Sequence, residues 1–158
     1  MVEEATVADV LQLVSFNLGT EEFGVDIGMV QEIVRMPEIT RVPRTPEFVE
    51  GVVNLRGKII PVVDLRKRFR LPVTENTKST RIIIVTMNGR TVGMIVDGVS
   101  EVRRISADSV EPTPEMVASA IDAAYLKGIA KLEGRLLILL DLNLVLNQEE
   151  QKQLTSVG

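Results

Sequence analysis

The chain contains no cysteine, no histidine and no tryptophan, and its single tyrosine is Tyr125. Without cysteine there is no disulfide, thiolate ligand or redox couple. Without histidine, imidazole acid–base chemistry and imidazole metal sites are excluded, and a serine nucleophile lacks its usual activating base. Aromatic residues make up 3% of the chain. That is too few for the stacking platforms of a single-strand nucleic-acid binder or for the aromatic groove of a polyproline receptor. Positive charge is not in excess either. The net charge is −4 and the pI about 5.0, the reverse of the basic footprint that displaces counterions from phosphates. Long apolar runs are also missing. The longest, Leu136 to Leu140, falls far short of the roughly 20 residues that a spanning helix needs. The opening MVEEATVADV is acidic and lacks the basic and apolar regions of a signal peptide. These absences predict a soluble cytoplasmic protein with no cofactor, no metal, no nucleic-acid partner and no direct membrane insertion.

What the chain has is aliphatic bulk: 45% of its 158 residues are hydrophobic and 25% charged, the balance of a folded globular protein. It also repeats itself. NLRGKIIPVVDL (54–65) returns as KLEGRLLILLDL (131–142), an offset of 77. FGVDIGMVQEIV (23–34) falls on VGMIVDGVSEVR (92–103) at an offset of 69, matching Val30 with Val99 and Glu32 with Glu101. The extra residues lie around PTPEMVASAIDAAY, where a loop insertion is tolerated. The pattern is an internal duplication of two halves, each of about 70 residues.

Each half alternates apolar and polar residues as half-buried strands do. Val14, Phe16 and Leu18 precede Phe23, Val25 and Ile27 in one half, and Asn88-Gly89 separates two apolar runs in the other. Asn-Gly is a strong hairpin signal because both residues tolerate positive φ. Arg56-Gly57 and Glu133-Gly134 mark two further turns, and Asp64 and Asp141 then sit where they would cap short helices, LRKRF and LNLVL. The expected fold is mainly β: two SH3-like five-stranded barrels with short helices, packed on a shared hydrophobic seam because so small a barrel buries too little alone. The expected boundaries are an N-terminal extension at 1–10, one domain over 11–147, and a polar tail at 148–158. The subdomains would span about 11–73 and 80–147, with exchange of strands between them left open.

A search for chemistry finds little. GVVNLRGKI (51–59) has five residues between its glycines where a phosphate loop has four, and Ile59 replaces the magnesium-binding hydroxyl. Asp64, Asp97 and Asp141 invite reading as a carboxylate cluster, but capping and turn formation explain them. A small enzyme with an unrecognised carboxylate site is the weaker alternative. RKRFR (66–70) reads as a solvated helix face with Phe69 inward, and as a weak candidate for contact with an acidic partner. Glu32 and Glu101 are kept in both halves, which suggests a shared structural role, with Val30, Ile33 and Val34 packed beneath an outward Glu32. Arg56 and Glu133 differ in sign at equivalent tips, so the turn does not dictate the charge and Arg56 is free for recognition.

VQEIV (30–34), FVEGVVNLRGKIIPVVDLRKRF (48–69), VGMIVDGVSEV (92–102) and YLKGIAKLEGRLLILLDLNLVL (125–146) resemble the CheW-like domain family of chemotaxis coupling proteins. The resemblance runs from about Leu11 to Leu146. The same domain forms the regulatory end of the kinase CheA and the front half of CheV. This chain lacks the phosphoacceptor histidine and kinase core of the first and room for the receiver domain of the second, so a free-standing coupling protein is expected. The resemblance implies a non-enzymatic adaptor that joins the cytoplasmic helical tips of methyl-accepting chemoreceptors to the regulatory domain of CheA, in arrays beneath the inner membrane. It implies partner contacts at Val30, Glu32, Gly51, Asn54, Arg56, Gly57, Arg81, Val99 and Val102. Gly51 is matched by Gly128, so backbone geometry is a rival account of it, and Arg81 stands where family members often carry an apolar residue. The same scaffold role in another chemosensory pathway, such as pilus motility, is the main alternative.

Overall fold

The computed structural model describes residues 10–72, 75–112 and 126–146. The expected N-terminal extension (Val10 apart), the polar tail and most of PTPEMVASAIDAAY, with Tyr125, lie outside the described residues.

The strands run in chain order as β1 (Val10–Leu18), β2 (Glu21–Asp26), β3 (Val30–Arg35), β4 (Val49–Leu55) and β5 (Lys58–Asp64), then the short helix α1 (Leu65–Arg68). There follow β6 (Arg81–Met87), β7 (Arg90–Val96), β8 (Gly98–Ser106), β9 (Val110–Glu111), β10 (Leu126–Leu132) and β11 (Arg135–Leu140). The Asn88-Gly89 hairpin forms as the sequence predicts, with both residues at positive φ, 51° and 78°. Asp64 caps α1 by accepting from the Arg66 N–H at 2.9 Å, and Asp141 caps a 3-10 turn at Leu142–Leu144 by accepting from the Asn143 N–H at 3.0 Å.

Two sheets result, one ordered β3-β6-β7-β5-β4 and the other β8-β1-β2-β11-β10-β9. Each folds around its own aliphatic core. Val53, Ile60, Val62, Ile82, Ile84 and Ile95 fill the first barrel, and Leu13, Ala130, Leu137 and Leu139 fill the second. The two repeat offsets carry β3, β6, β7, β5 and β4 onto β8, β1, β2, β11 and β10, so both sheets have one topology. The sixth strand, β9, pairs Glu111 with Ile129 where the first barrel has only the isolated bridge Thr40–Val52.

The sheets do not follow the sequence halves. The β1–β2 hairpin of the first half lies in the second barrel, and the β6–β7 hairpin of the second half lies in the first. Between the barrels sits a larger shared core that includes Val14, Phe16, Leu18, Phe23, Val63, Ile83, Val85, Met94 and Leu140. Strands beside the seam are therefore buried on both faces. In β6, Ile82 and Ile84 enter the barrel while Ile83 and Val85 enter the seam, so the strand reads as a continuous apolar run. Phe16 stacks on Phe23 at 5.9 Å and Phe23 meets Phe69 at 5.8 Å, which places three of the chain's four phenylalanines in the seam. Each such burial stabilises by about 1.5–3 kcal/mol.

The basic run RKRFR is not a solvated face. Arg66 is buried, gripping Asp64 through two hydrogen bonds at 2.9 and 3.0 Å and Asp97 at 2.9 Å. Lys67 pairs with Glu50 at 2.5 Å. Arg68 lies over the Phe48 ring and donates to the Val145 carbonyl of the other barrel at 3.0 Å. Phe69, buried at 3% exposure, and the exposed Arg70 behave as expected. The correction has a simple cause: a four-residue helix wedged at the seam has no outer face wide enough to leave its cations in water. Asp64 and Asp97 do converge, but on Arg66, which pairs with both.

Candidate functional site

At one end of the first barrel, the β4–β5 turn folds back over β3. Asn54 accepts the Gly57 N–H at 2.9 Å, and Arg56 and Gly57 both have positive φ, 52° and 87°. That is the two-residue hairpin geometry that matches strand twist. A non-glycine residue in this region carries a cost of roughly 1–2 kcal/mol, and strained backbone concentrates at functional positions. Glu133, at the equivalent tip, does not have positive φ. The tips thus differ in backbone as well as in charge.

The Arg56 guanidinium lies along the Glu32 carboxylate on β3. Nη1 donates to Oε1 at 3.3 Å, and Nη2 donates to Oε2 in a second bond. Glu32, through this hydrogen bond and its charge, raises the Arg56 pKa above its ordinary value, so the tip is cationic at any physiological pH. Arg56 nevertheless remains 69% exposed and Glu32 32%. A pair this wet adds little to stability, and its donors and acceptors stay open to another molecule.

The pair borders a cleft of about 460 Å³ that Gln31, Leu55, Lys58, Ile59, Ile60, Ile84 and Thr91 also line. Gln31 donates to Thr86 Oγ1 at 3.0 Å and to Thr91 Oγ1 at 3.1 Å, fixing one wall. Ile60 and Ile84 belong to the barrel core and give the cleft an apolar floor. Two cations and one carboxylate stand on the rim. This arrangement can receive an apolar side chain with acidic neighbours. Among the described residues no group of three acidic side chains could hold a metal ion.

Of the nine sequence-predicted residues, Glu32, Asn54, Arg56 and Gly57 come together here. Val30 and Val99 occupy matching positions and both pack against the seam. Val102 is 51% exposed on β8, apart from the cleft's lining. Arg81 folds onto its own loop, donating to the carbonyls of Lys78 and Thr80 at 2.6 and 2.9 Å. Gly51 has φ 144°, and a Cβ there would stand 2.0 Å from the Thr40 carbonyl oxygen. Gly128 repeats this with φ 151° and Glu111 O at 2.6 Å, so close backbone approach accounts for both glycines. Ile33, expected beneath Glu32, is 41% exposed instead, because in a strand it faces opposite to Glu32.

Sequence reasoning missed Ile59 and the Gln31–Thr86–Thr91 bridge. Ile59 had a signal: it recurs as Leu136, and the two are 51% and 53% exposed. Gln31 had none, since its partners lie 55 and 60 positions away.

Residues 12–150 match the CheW-like domain family. The chain is 41% identical to the chemotaxis protein CheW of Klebsiella aerogenes over 90% of its own length and 86% of that protein's. It is 37% identical to the chemotaxis protein CheW of Bacillus subtilis, covering 89% and 90% of the two chains. Among solved structures it resembles the scaffolding protein TtCheW from Thermoanaerobacter tengcongensis, with a TM-score of 0.81, 44% identity, and coverage of 89% of this chain and 94% of that one. With two sheets of one topology, a seam between them and these relatives along nearly its whole length, the chain belongs to the CheW-like domain family.

Proposed function

We propose that this protein is a non-enzymatic adaptor of chemotaxis signalling that couples the helical tips of chemoreceptors to the regulatory domain of the histidine kinase CheA. The supporting observation is the Arg56–Glu32 pair: solvent-exposed, set on a strained turn, and placed at the mouth of an apolar-floored cleft. Nothing in the stability of the barrel calls for that arrangement, whereas recognition does. Family membership supplies the class of partner. The working state is association with receptor arrays at the membrane surface. Among the described residues no helix is long and apolar enough to cross a membrane.

The test is co-sedimentation of the purified protein with CheA and receptor-containing membranes, comparing wild type with Arg56→Glu. The variant should stay in the supernatant while melting within a few degrees of wild type. Equal sedimentation of the two would remove Arg56 from the docking surface.

A further inference from the structure

The two repeat offsets place Ser15, Glu22, Arg103, Glu133 and Arg135 of the second barrel where the first has Ile84, Thr91, Val34, Arg56 and Lys58. The apolar floor residue Ile84 has become a fully buried serine, and the rim threonine a glutamate. Glu22 is only 10% exposed. Its Oε2 accepts from the Ser15 hydroxyl and from Arg103 Nε at 3.0 Å, while Arg135 Nε stands 3.3 Å from Oε1. Arg103 is held in turn by Glu101 at 3.3 Å.

We propose that Glu22 is a specificity-determining residue: with Ser15, Arg103 and Arg135 it occupies the second barrel's counterpart of the Arg56 cleft, so that the partner's apolar anchor seats in the first barrel alone. The occupant of the first cleft is an aliphatic side chain from an acidic segment of the kinase regulatory domain. The cleft's chemistry argues for it, with Arg56 and Lys58 against Glu32 on the rim and Ile60 and Ile84 beneath. In the second barrel the same anchor would have to displace a carboxylate from two guanidiniums and leave it without their charge in a half-buried site, a repulsive element that discriminates without a clash. Burial pushes the Glu22 carboxyl up, but Ser15, Arg103 and Arg135 together hold it below its ordinary value, so the plug stays charged at neutral pH. The inference deepens the proposed function and rests on the Arg56 cleft being a docking site.

The experiment titrates purified kinase regulatory domain into the full chain by calorimetry. Thr91→Glu places a glutamate in the first barrel at the position of Glu22, within a rim that already holds Lys58. It should weaken binding by about tenfold or more without lowering the melting temperature, and unchanged affinity overturns the proposal. The reciprocal graft, Ser15→Ile with Glu22→Thr, Arg103→Val and Glu133→Arg, is made in the Arg56→Glu background. Recovery of binding there supports the proposal, and a graft that melts cooperatively yet fails to bind overturns it. Should the graft not fold, the Thr91→Glu arm decides. If Arg56→Glu alone binds like wild type, it is the docking site itself that fails, and that outcome is distinct from failure of the plug.

Discussion

The Arg66 guanidinium on α1 donates to Asp97 Oδ1 at 2.9 Å, and the other oxygen of that carboxylate accepts the Gly19 N–H at 2.6 Å. Gly19 lies at the turn of the β1–β2 hairpin, which belongs to the second barrel, whereas Arg66 follows β5 of the first. The relay thus clasps an exchanged hairpin to the barrel it left. At the matching place in the repeat, Asn88 donates two hydrogen bonds of 3.0 Å to Asn143, from its backbone N–H to Oδ1 and from Nδ2 to the carbonyl. Charge in one clasp and amides in the other hold the same joint.

Replacing Arg66 by Met removes a cation that is 4% exposed on its side chain and leaves Asp64 and Asp97 facing each other. Breaking a buried ion pair from one side costs about 3–5 kcal/mol. Urea unfolding of Arg66→Met should show a loss of at least about 3 kcal/mol. A loss under about 1 kcal/mol would mean that the clasp is screened like a surface pair.

Gly51 and Gly57 share positive φ but not surroundings. A Cβ at Gly51 meets the Thr40 carbonyl, and one at Gly57 meets nothing within 4 Å. Alanine at Gly57 therefore carries only the backbone penalty, about 1 kcal/mol, and alanine at Gly51 must also push the 40–41 segment off β4. Denaturation midpoints should fall in the order wild type, Gly57→Ala, Gly51→Ala. Equal midpoints for the two variants would contradict the close approach.

Glu22 ties stability to pH. Its folded-state pKa lies below the ordinary 4.5, so the unfolded chain holds the proton more tightly. Its contribution is complete above that value and disappears as pH falls through the folded one. Glu22→Gln should lower stability at pH 7 and flatten its decline below pH 4.5, measured as melting temperature against pH. Parallel curves for the two proteins would show that Glu22 does not titrate abnormally.

Arg56→Asn separates fold from function. Asn-Gly is the preferred pair for a turn with two positive φ values, so the barrel should melt at or slightly above the wild-type temperature. The Glu32 carboxylate loses its partner, and kinase binding should weaken about tenfold or more, by roughly 1.4 kcal/mol. Undiminished binding by Arg56→Asn would leave the guanidinium without a role.

Much of this was legible in the residues. The duplication appears as two offsets, the turns as X-Gly pairs, and the helix caps as Asp64 and Asp141, because each is a local pattern enforced by backbone geometry. The four residues that cluster at the cleft were named through the family resemblance; the repeat alone, matching Glu32 with Glu101, pointed only to a shared structural role. Arg66 was misread for the opposite reason. Four basic residues in five look solvated until the carboxylate of Asp97, 31 positions beyond Arg66, is placed against the first of them.

The sequence by itself determined the alphabet of the fold: aliphatic strands of period two, tight glycine turns and a unit repeated twice. It also excluded histidine and cysteine chemistry. Tertiary structure decided which hairpin joined which barrel, and so which charges were buried as clasps and which stayed wet at a cleft. Hairpin exchange leaves the local pattern of every strand unchanged, so no local signal reports it. It becomes visible only when long-range pairing brings Phe23 beside Ile138 and Val62 beside Gly93.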